Sequence, residues 1–194
     1  MPKKSARILM YRFIGNSLEV FLVHPGGPFW AKKDLGAWSI PKGEYSEGED
    51  PLHAARREFQ EETGFVAEGQ FIPLRPVTQP GGKIVLAWAL EGDCDPRKIA
   101  SNPFRMEWPP KSGKYREFPE VDRAEWFPLE LAREKILKGQ RSLLDELRLL
   151  VLLFLSLVYT ARITGHWNSS LSEDEFRIRL LHIDSPAYRH PSVR

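Results

Sequence analysis

Cysteine is almost missing from this sequence: Cys94 is the single one among 194 residues. An intramolecular disulfide is therefore excluded, no Cys/His group has zinc-ligand spacing, and a reducing compartment suits the chain. An excess of one charge is missing as well, because 28 basic and 26 acidic residues leave a formal net charge of +2. That balance argues against a dedicated nucleic-acid binder, which concentrates basic residues on one face, so any site for a polyanion has to be local. The apolar run from Leu147 to Tyr159 is interrupted by Arg148 and Ser156 and is shorter than the roughly 20 residues that a membrane span requires. It is expected to be the buried face of a helix. The basic start, Met1 to Arg7, leads into a short alternating stretch and not into a long apolar signal segment, so the chain reads as cytoplasmic, without membrane attachment.

What is present suits one globular domain with room for an appendage. The length lies within the range of about 100–200 residues for a single domain, and 42% hydrophobic content is enough for a core. Runs from Ala6 to Phe13 and from Leu18 to His24, rich in Ile, Leu, Val, Phe and Tyr, flank Gly15-Asn16 and predict a β-hairpin. Turn formers crowd Pro25 to Gly36, which predicts a loop displaying Phe29, Trp30, Lys32 and Lys33. Ala37 to Pro41 reads as a short strand. Asp50 followed by Pro51 is an N-cap with proline at the first helical position, and Gly64 is the stop, so a helix is expected between them. Phe71 to Val77, Lys83 to Leu90 and Arg123 to Phe127 read as strands, and Leu129 to Leu137 and the residues from Ser142 onward as helices. The stretch from Asn102 to Phe118, broken by Pro103, Pro109, Pro110 and Gly113, reads as a long loop with packed aromatics. The order of elements implies an α/β fold, a mixed β-sheet covered by helices on both faces.

Chemistry concentrates in the predicted helix. Glu58, Glu61 and Glu62 stand at i, i+3 and i+4, so their carboxylates share one face within a turn and repel one another. A solvated acidic face is the ordinary explanation of such a run. Against it, the cluster sits at the helix C-terminus, where the macrodipole disfavours negative charge, and a glycine turn precedes the helix. Something positive is needed there, and a hard divalent cation with oxygen ligands, such as Mg²⁺, meets the need.

The string Gly43-x5-Glu49-x7-Arg57-Glu58-Phe59-x-Glu61-Glu62-x-Gly64-Phe65 resembles the Nudix box at every defined position. The resemblance covers roughly residues 5 to 147 and implies an α/β/α sandwich, with residues 148–194 as a C-terminal extension. Trp38 to Gly43 before the box and Glu125-Trp126-Phe127 after it look similar to the MutT-related bacterial nucleoside triphosphate pyrophosphohydrolases. The resemblance implies Mg²⁺, with Mn²⁺ able to substitute, and a small nucleotide as substrate. It makes Glu58 and Glu62 metal ligands, Glu61 a third ligand or the group orienting the attacking water, and the Gly43 carbonyl a further ligand. Arg57 corresponds to the arginine that holds Glu49 and the helix carboxylates in place. A later acid completes the family pattern, with Glu120 the first choice and Glu117 the second.

Lys42, Lys32 and Lys33 are the candidates to meet phosphates, and Phe29, Trp30 and Trp108 to stack on a base. Dinucleoside polyphosphates, ADP-ribose and nucleotide sugars are alternative substrates. Pro80 stands near the proline of ADP-ribose-cleaving relatives, whereas Gly82 and Lys83 occupy the neighbourhood of the tyrosine that marks dinucleoside-polyphosphate relatives. A catalytically silent nucleotide-binding module is the alternative of another class, and the intact Glu58, Glu61 and Glu62 count against it. An RNA-end-processing enzyme would need an extended basic surface. Beyond Leu147 a helix would be apolar around most of its circumference and must be covered, either by the sandwich or by the same helix of a second copy in a homodimer. Asn168 to Glu175 would then lead into a loosely held tail.

Overall fold

The computed structural model describes residues 4–79 and 82–163. Strands β1 (Lys4–Ile14) and β2 (Ser17–Pro25) form the expected hairpin, with Tyr11 opposite Val20 and Ile14 opposite Ser17. After β3 (Lys42–Glu44) comes helix α1 (Pro51–Thr63), followed by β4 (Phe71–Thr78) and β5 (Ile84–Glu91). Strands β6 (Pro103–Glu107), β7 (Tyr115–Pro119) and β8 (Val121–Pro128) precede helices α2 (Leu129–Lys135) and α3 (Arg141–Ile163).

The main sheet runs β4-β5-β1-β2-β8, with β3 also on β1. It is mixed, because β1 and β5 pair in parallel, Lys4 opposite Ile84 through Tyr11 opposite Glu91, while its other pairs are antiparallel. Strand β1 shares its other edge between two partners, β3 at Ser5 to Arg7 and β2 at Tyr11 to Ile14. Ala6, Ile8 and Met10 join Ala54, Ala55 and Phe59 of α1 in one core cluster. The alternate residues Leu9 and Tyr11 are equally buried, as a sheet covered on both faces requires.

Three sequence expectations change. Ala37 to Pro41 is no strand: only Trp38 and Ser39 form isolated bridges, to Ile136 and Val23, and pairing along β1 begins at Lys42. The segment crosses between β2 and α2, so neighbouring residues bond to different elements. Asn102 to Phe118 is no loop, because β6 and β7 form a separate two-stranded sheet with Phe104 opposite Phe118 and Glu107 opposite Tyr115. Its prolines mark the strand ends and the turn, the positions that proline tolerates in a ribbon. The third concerns the apolar run. The chain divides after Leu144 into two units, and in the second Leu149, Leu152, Leu153, Leu155 and Leu157 of α3 are exposed, Leu153 at 60%. The run expected to be a buried face is thus exposed at these five leucines, while Leu147 at its start is buried. Among the described residues no helix is long and apolar enough to cross a membrane. Pro80 and the segment from Asn168 to Glu175 lie outside the described residues.

Candidate active site

Helix α1 starts as its sequence requires. The Asp50 carboxylate accepts a 2.7 Å hydrogen bond from the His53 amide, and Pro51 occupies the first turn, where no amide is needed. Gly64 ends it at φ +78°, and its amide donates to the Gln60 carbonyl, in the left-handed conformation that costs glycine least. Two more carbonyls of the last turn are capped from outside: Ala100 N–H donates to Thr63 O and Asn102 N–H to Glu61 O. The strands β6 and β7 therefore emerge beside the acidic end of α1. No basic residue occupies that last turn.

Arg57 gathers the acids from the helix itself. Its Nη1 lies 2.7 Å from Glu58 and 3.1 Å from Glu61, and its Nη2 lies 3.4 Å from Glu49. The like-charge repulsion of the i, i+3, i+4 pattern is thereby partly relieved within the chain. Glu58 is pressed against the loop before the helix, since a Cβ on Gly43 would fall 1.7 Å from the Glu58 carboxyl carbon. Only glycine permits that approach, which accounts for the residue at the head of the motif.

Glu62 is the most enclosed of the set, 7% exposed. Its Oε2 accepts from the Lys42 amide at 2.8 Å, and its Oε1 lies 3.7 Å from the Lys42 ammonium. Burial pushes its pKa up to about 7, against the pull of the Lys42 charge and amide, and the charges of Glu120 and Glu58 raise it further. Burial also raises Glu58, although Arg57 opposes, and here too Glu120 and Glu61 add to the rise. Glu120 is thus electrostatically part of the group. Its amide donates to the Asn102 carbonyl, and its own carbonyl accepts from Gly26. Glu117, the second choice, lies opposite Arg105 in the β6–β7 ribbon.

Among the described residues no three acidic, histidine or cysteine side chains converge as a metal cage. Arg57 bonds both Glu58 and Glu61, and burial still raises the pKa of half-buried Glu58 and of buried Glu62, so their oxygens are donors whose anionic forms lack full compensation. That donor set fits Mg²⁺, which takes one or two carboxylates and leaves its other positions to water and phosphate oxygens.

The loop residues are arranged differently from simple phosphate and base contacts. Phe29, 55% exposed, meets Trp108 of the ribbon edge-to-face at 5.3 Å. The Lys33 ammonium lies 4.5 Å above the Trp30 ring, and Lys32 is exposed. Lys42 is turned to Glu62. The loop is anchored by His24, whose ring nitrogens stand 2.6 Å from Asp122 Oδ1 and 2.9 Å from the Lys33 carbonyl. One charged residue near the group was missed by the sequence reading. Arg7 of β1, opposite Lys42 in register, is 2% exposed and feels the charge of Glu62. Its only sequence signal was a cation at an alternating position among apolar residues.

The sequence profile of the family described as NUDIX domain matches residues 1–147. Nudix hydrolase 25 of Arabidopsis thaliana is 59% identical over 32 residues, 16% of this chain, and the match spans only 18% of that protein's length. The fold is similar to that of an Ap4A hydrolase of C. elegans in a binary complex, with TM-score 0.52 and 23% identity over 77% of this chain and 97% of that one. It is also similar to a mutT/nudix family protein from Listeria innocua, with TM-score 0.55 and 18% identity over 81% of this chain and 99% of that one. At such identities the structural likeness is one of fold.

Proposed function

The chain belongs to the NUDIX-domain family, and from that premise we propose that it hydrolyses a phosphoanhydride bond in a nucleoside diphosphate linked to another group, with Mg²⁺ or Mn²⁺ as cofactor. Nucleoside triphosphates are the proposed substrates, cleaved to the monophosphate and pyrophosphate as in the MutT-related enzymes. One observation carries this reading: half-buried Glu58 and buried Glu62 are carboxylates with raised pKa, coupled to Glu120, beside a glycine that lets Glu58 approach the backbone. A solvated acidic face would show none of these features.

Glu58, Glu62 and the Gly43 carbonyl would hold the cation, and Glu61 either adds a ligand or orients the attacking water. When bound, the ion neutralises phosphate oxygens and lowers the pKa of water at the site. Arg57 positions Glu58, Glu61 and Glu49, so that their anionic oxygens keep a fixed spacing. Glu120 takes the proton of the attacking water as general base. With a good leaving group already present, positioning and charge neutralisation are the main requirements. Lys42, Lys32 and Lys33 are the proposed phosphate contacts and Phe29 and Trp30 the proposed base contacts, which requires Lys33 to leave the Trp30 ring, Phe29 to leave Trp108 and Lys42 to turn from Glu62 when substrate binds. Residues 1–147 are the proposed catalytic domain and residues 148–194 an extension.

The test is a hydrolysis screen over nucleoside triphosphates, dinucleoside polyphosphates, ADP-ribose and nucleotide sugars, with products identified. Turnover should require Mg²⁺ or Mn²⁺ and be lost in Glu58→Gln with the fold intact. Wild-type turnover in excess chelator would sink the mechanism, and the class hydrolysed fastest decides the substrate.

A further inference from the structure

Two buried polar side chains on β1 have no hydrogen-bond partner at their inner atoms. Ser5 is fully buried and Arg7 is 2% exposed, yet Ser5 Oγ and Arg7 Nε and Nη1 are unsatisfied. Residues two apart on a strand project to the same face, so the hydroxyl and the guanidinium are neighbours. Buried donors without partners are rare in folded proteins, and each asks what it is waiting for. A buried guanidinium asks most, because it carries charge as well as hydrogen-bond donors. Burial pulls the Arg7 pKa down to about 10, the charge of Glu62 opposing, so the group stays cationic at neutral pH.

The neighbourhood specifies the missing partner. Across the ladder, Arg7 stands opposite Lys42 and Ser5 opposite Glu44, and the Lys42 amide already binds Glu62. Among the described residues the acidic charge that acts on Arg7 is that of Glu62, a carboxylate to which the reading above gives a divalent cation. Once Glu62 shares its charge with that cation, the guanidinium has no counter-ion left. A phosphate fits: it is anionic, and its oxygens accept charge-assisted bonds from a guanidinium and a further bond from a hydroxyl. A neutral nucleobase would leave the charge uncompensated.

Resting on the hydrolase reading, we propose that Arg7 and Ser5 form a receptor for a phosphate group of the substrate, on the β1 side of Lys42, and that Arg7 makes the enzyme selective for substrates carrying an anionic phosphate there. The phosphate sheds its water to reach so enclosed a cation, and a charge-assisted bond in a low dielectric compensates that loss.

The experiment is calorimetric titration of the full chain with inorganic pyrophosphate in the presence of Mg²⁺, together with thermal melts of the ligand-free proteins. Arg7→Met keeps most of the stem volume and removes the charge. It should weaken pyrophosphate binding by roughly tenfold to a hundredfold, and Ser5→Ala by about threefold to tenfold. The ligand-free melting temperature of Arg7→Met should hold or rise, because an unpaired buried charge is removed; a merely structural arginine would lower it and leave pyrophosphate binding alone. A wild type that binds no pyrophosphate overturns the proposal, as does an unchanged Kd in Arg7→Met. If Arg7→Met does not fold, Arg7→Lys and Ser5→Ala decide: weaker binding in both supports the receptor, and wild-type binding in both overturns it. Pyrophosphate binding that depends on Arg7, with no turnover of any nucleotide, would retain the receptor and refute the hydrolase reading instead.

Discussion

The buried carboxylate of Glu62 makes a prediction that needs no substrate. Its pKa stands at about 7 in the folded protein against an ordinary value of 4.5, chiefly because burial penalises the anion. Between those values the folded chain binds a proton that the unfolded chain has released, so stability is greatest at low pH and is lost as pH rises through the folded-state pKa. The shift of about 2.5 pH units, at roughly 1.4 kcal/mol for each, corresponds to about 3 kcal/mol by pH 8. Part of this loss is already present at pH 5, so roughly 2 to 3 kcal/mol falls between pH 5 and pH 8. Lys42 is included in that balance, since its charge and amide already lower the pKa.

Glu62→Gln removes the titration while keeping the oxygen that accepts from the Lys42 amide at 2.8 Å. In excess chelator the variant should match the wild type near pH 5 to within about 1 kcal/mol and exceed it by about 3 kcal/mol at pH 8. For a chain of this length that is a gain of roughly 5 to 10 °C in melting temperature. Urea or thermal melts at pH 5, 6, 7 and 8 provide the measurement. If the two stability curves run parallel over that range, Glu62 is not a buried anion in the metal-free protein, and the case for a cation at its oxygens loses its main support. With Mg²⁺ present the order should reverse, the wild type gaining stability from the metal and the variant little.

The remaining predictions address the other parts of the site and the extension. Glu120→Ala should lower kcat by about 10²- to 10⁴-fold with KM little changed if the residue acts as general base, whereas Glu117→Ala should stay near wild type; equal kinetics for the two would move the later acid elsewhere. Gly43→Ala would place a Cβ 1.7 Å from the Glu58 carboxyl carbon, so Mg²⁺ affinity measured by titration should collapse; unchanged affinity would remove both Gly43 and Glu58 from the metal site. The exposed leucines of α3 predict a homodimer that Leu149→Lys and Leu153→Lys together convert to monomer, read by light scattering; a wild type that is monomeric at high concentration refutes the pairing.

How much of this could be read from the sequence depends on the range of the interactions involved. Helix α1 and its acidic cluster were readable because their determinants are local: the Asp50 cap, the Gly64 stop and the spacing of Glu58, Glu61 and Glu62 all lie within one helix and its flanks. The distance of Arg57 from Glu61 follows from the same i, i+4 geometry. The β6–β7 ribbon was hidden because proline breaks a local pattern without saying whether it ends a strand or replaces one, and only the partner across the ladder decides. Arg7 was hidden for a related reason. Ser5 and Arg7 alternate with Ala6 and Ile8, and this arrangement is ordinarily that of a strand with one wet face. Burial of that face is set by elements distant in sequence, so the same alternation that places a cation in water at a sheet surface places it, in a sheet covered on both sides, beside Lys42 and within the field of Glu62. A charge in that position is costly to the fold unless it is compensated, and the pyrophosphate titration of Arg7→Met asks whether a ligand supplies that compensation.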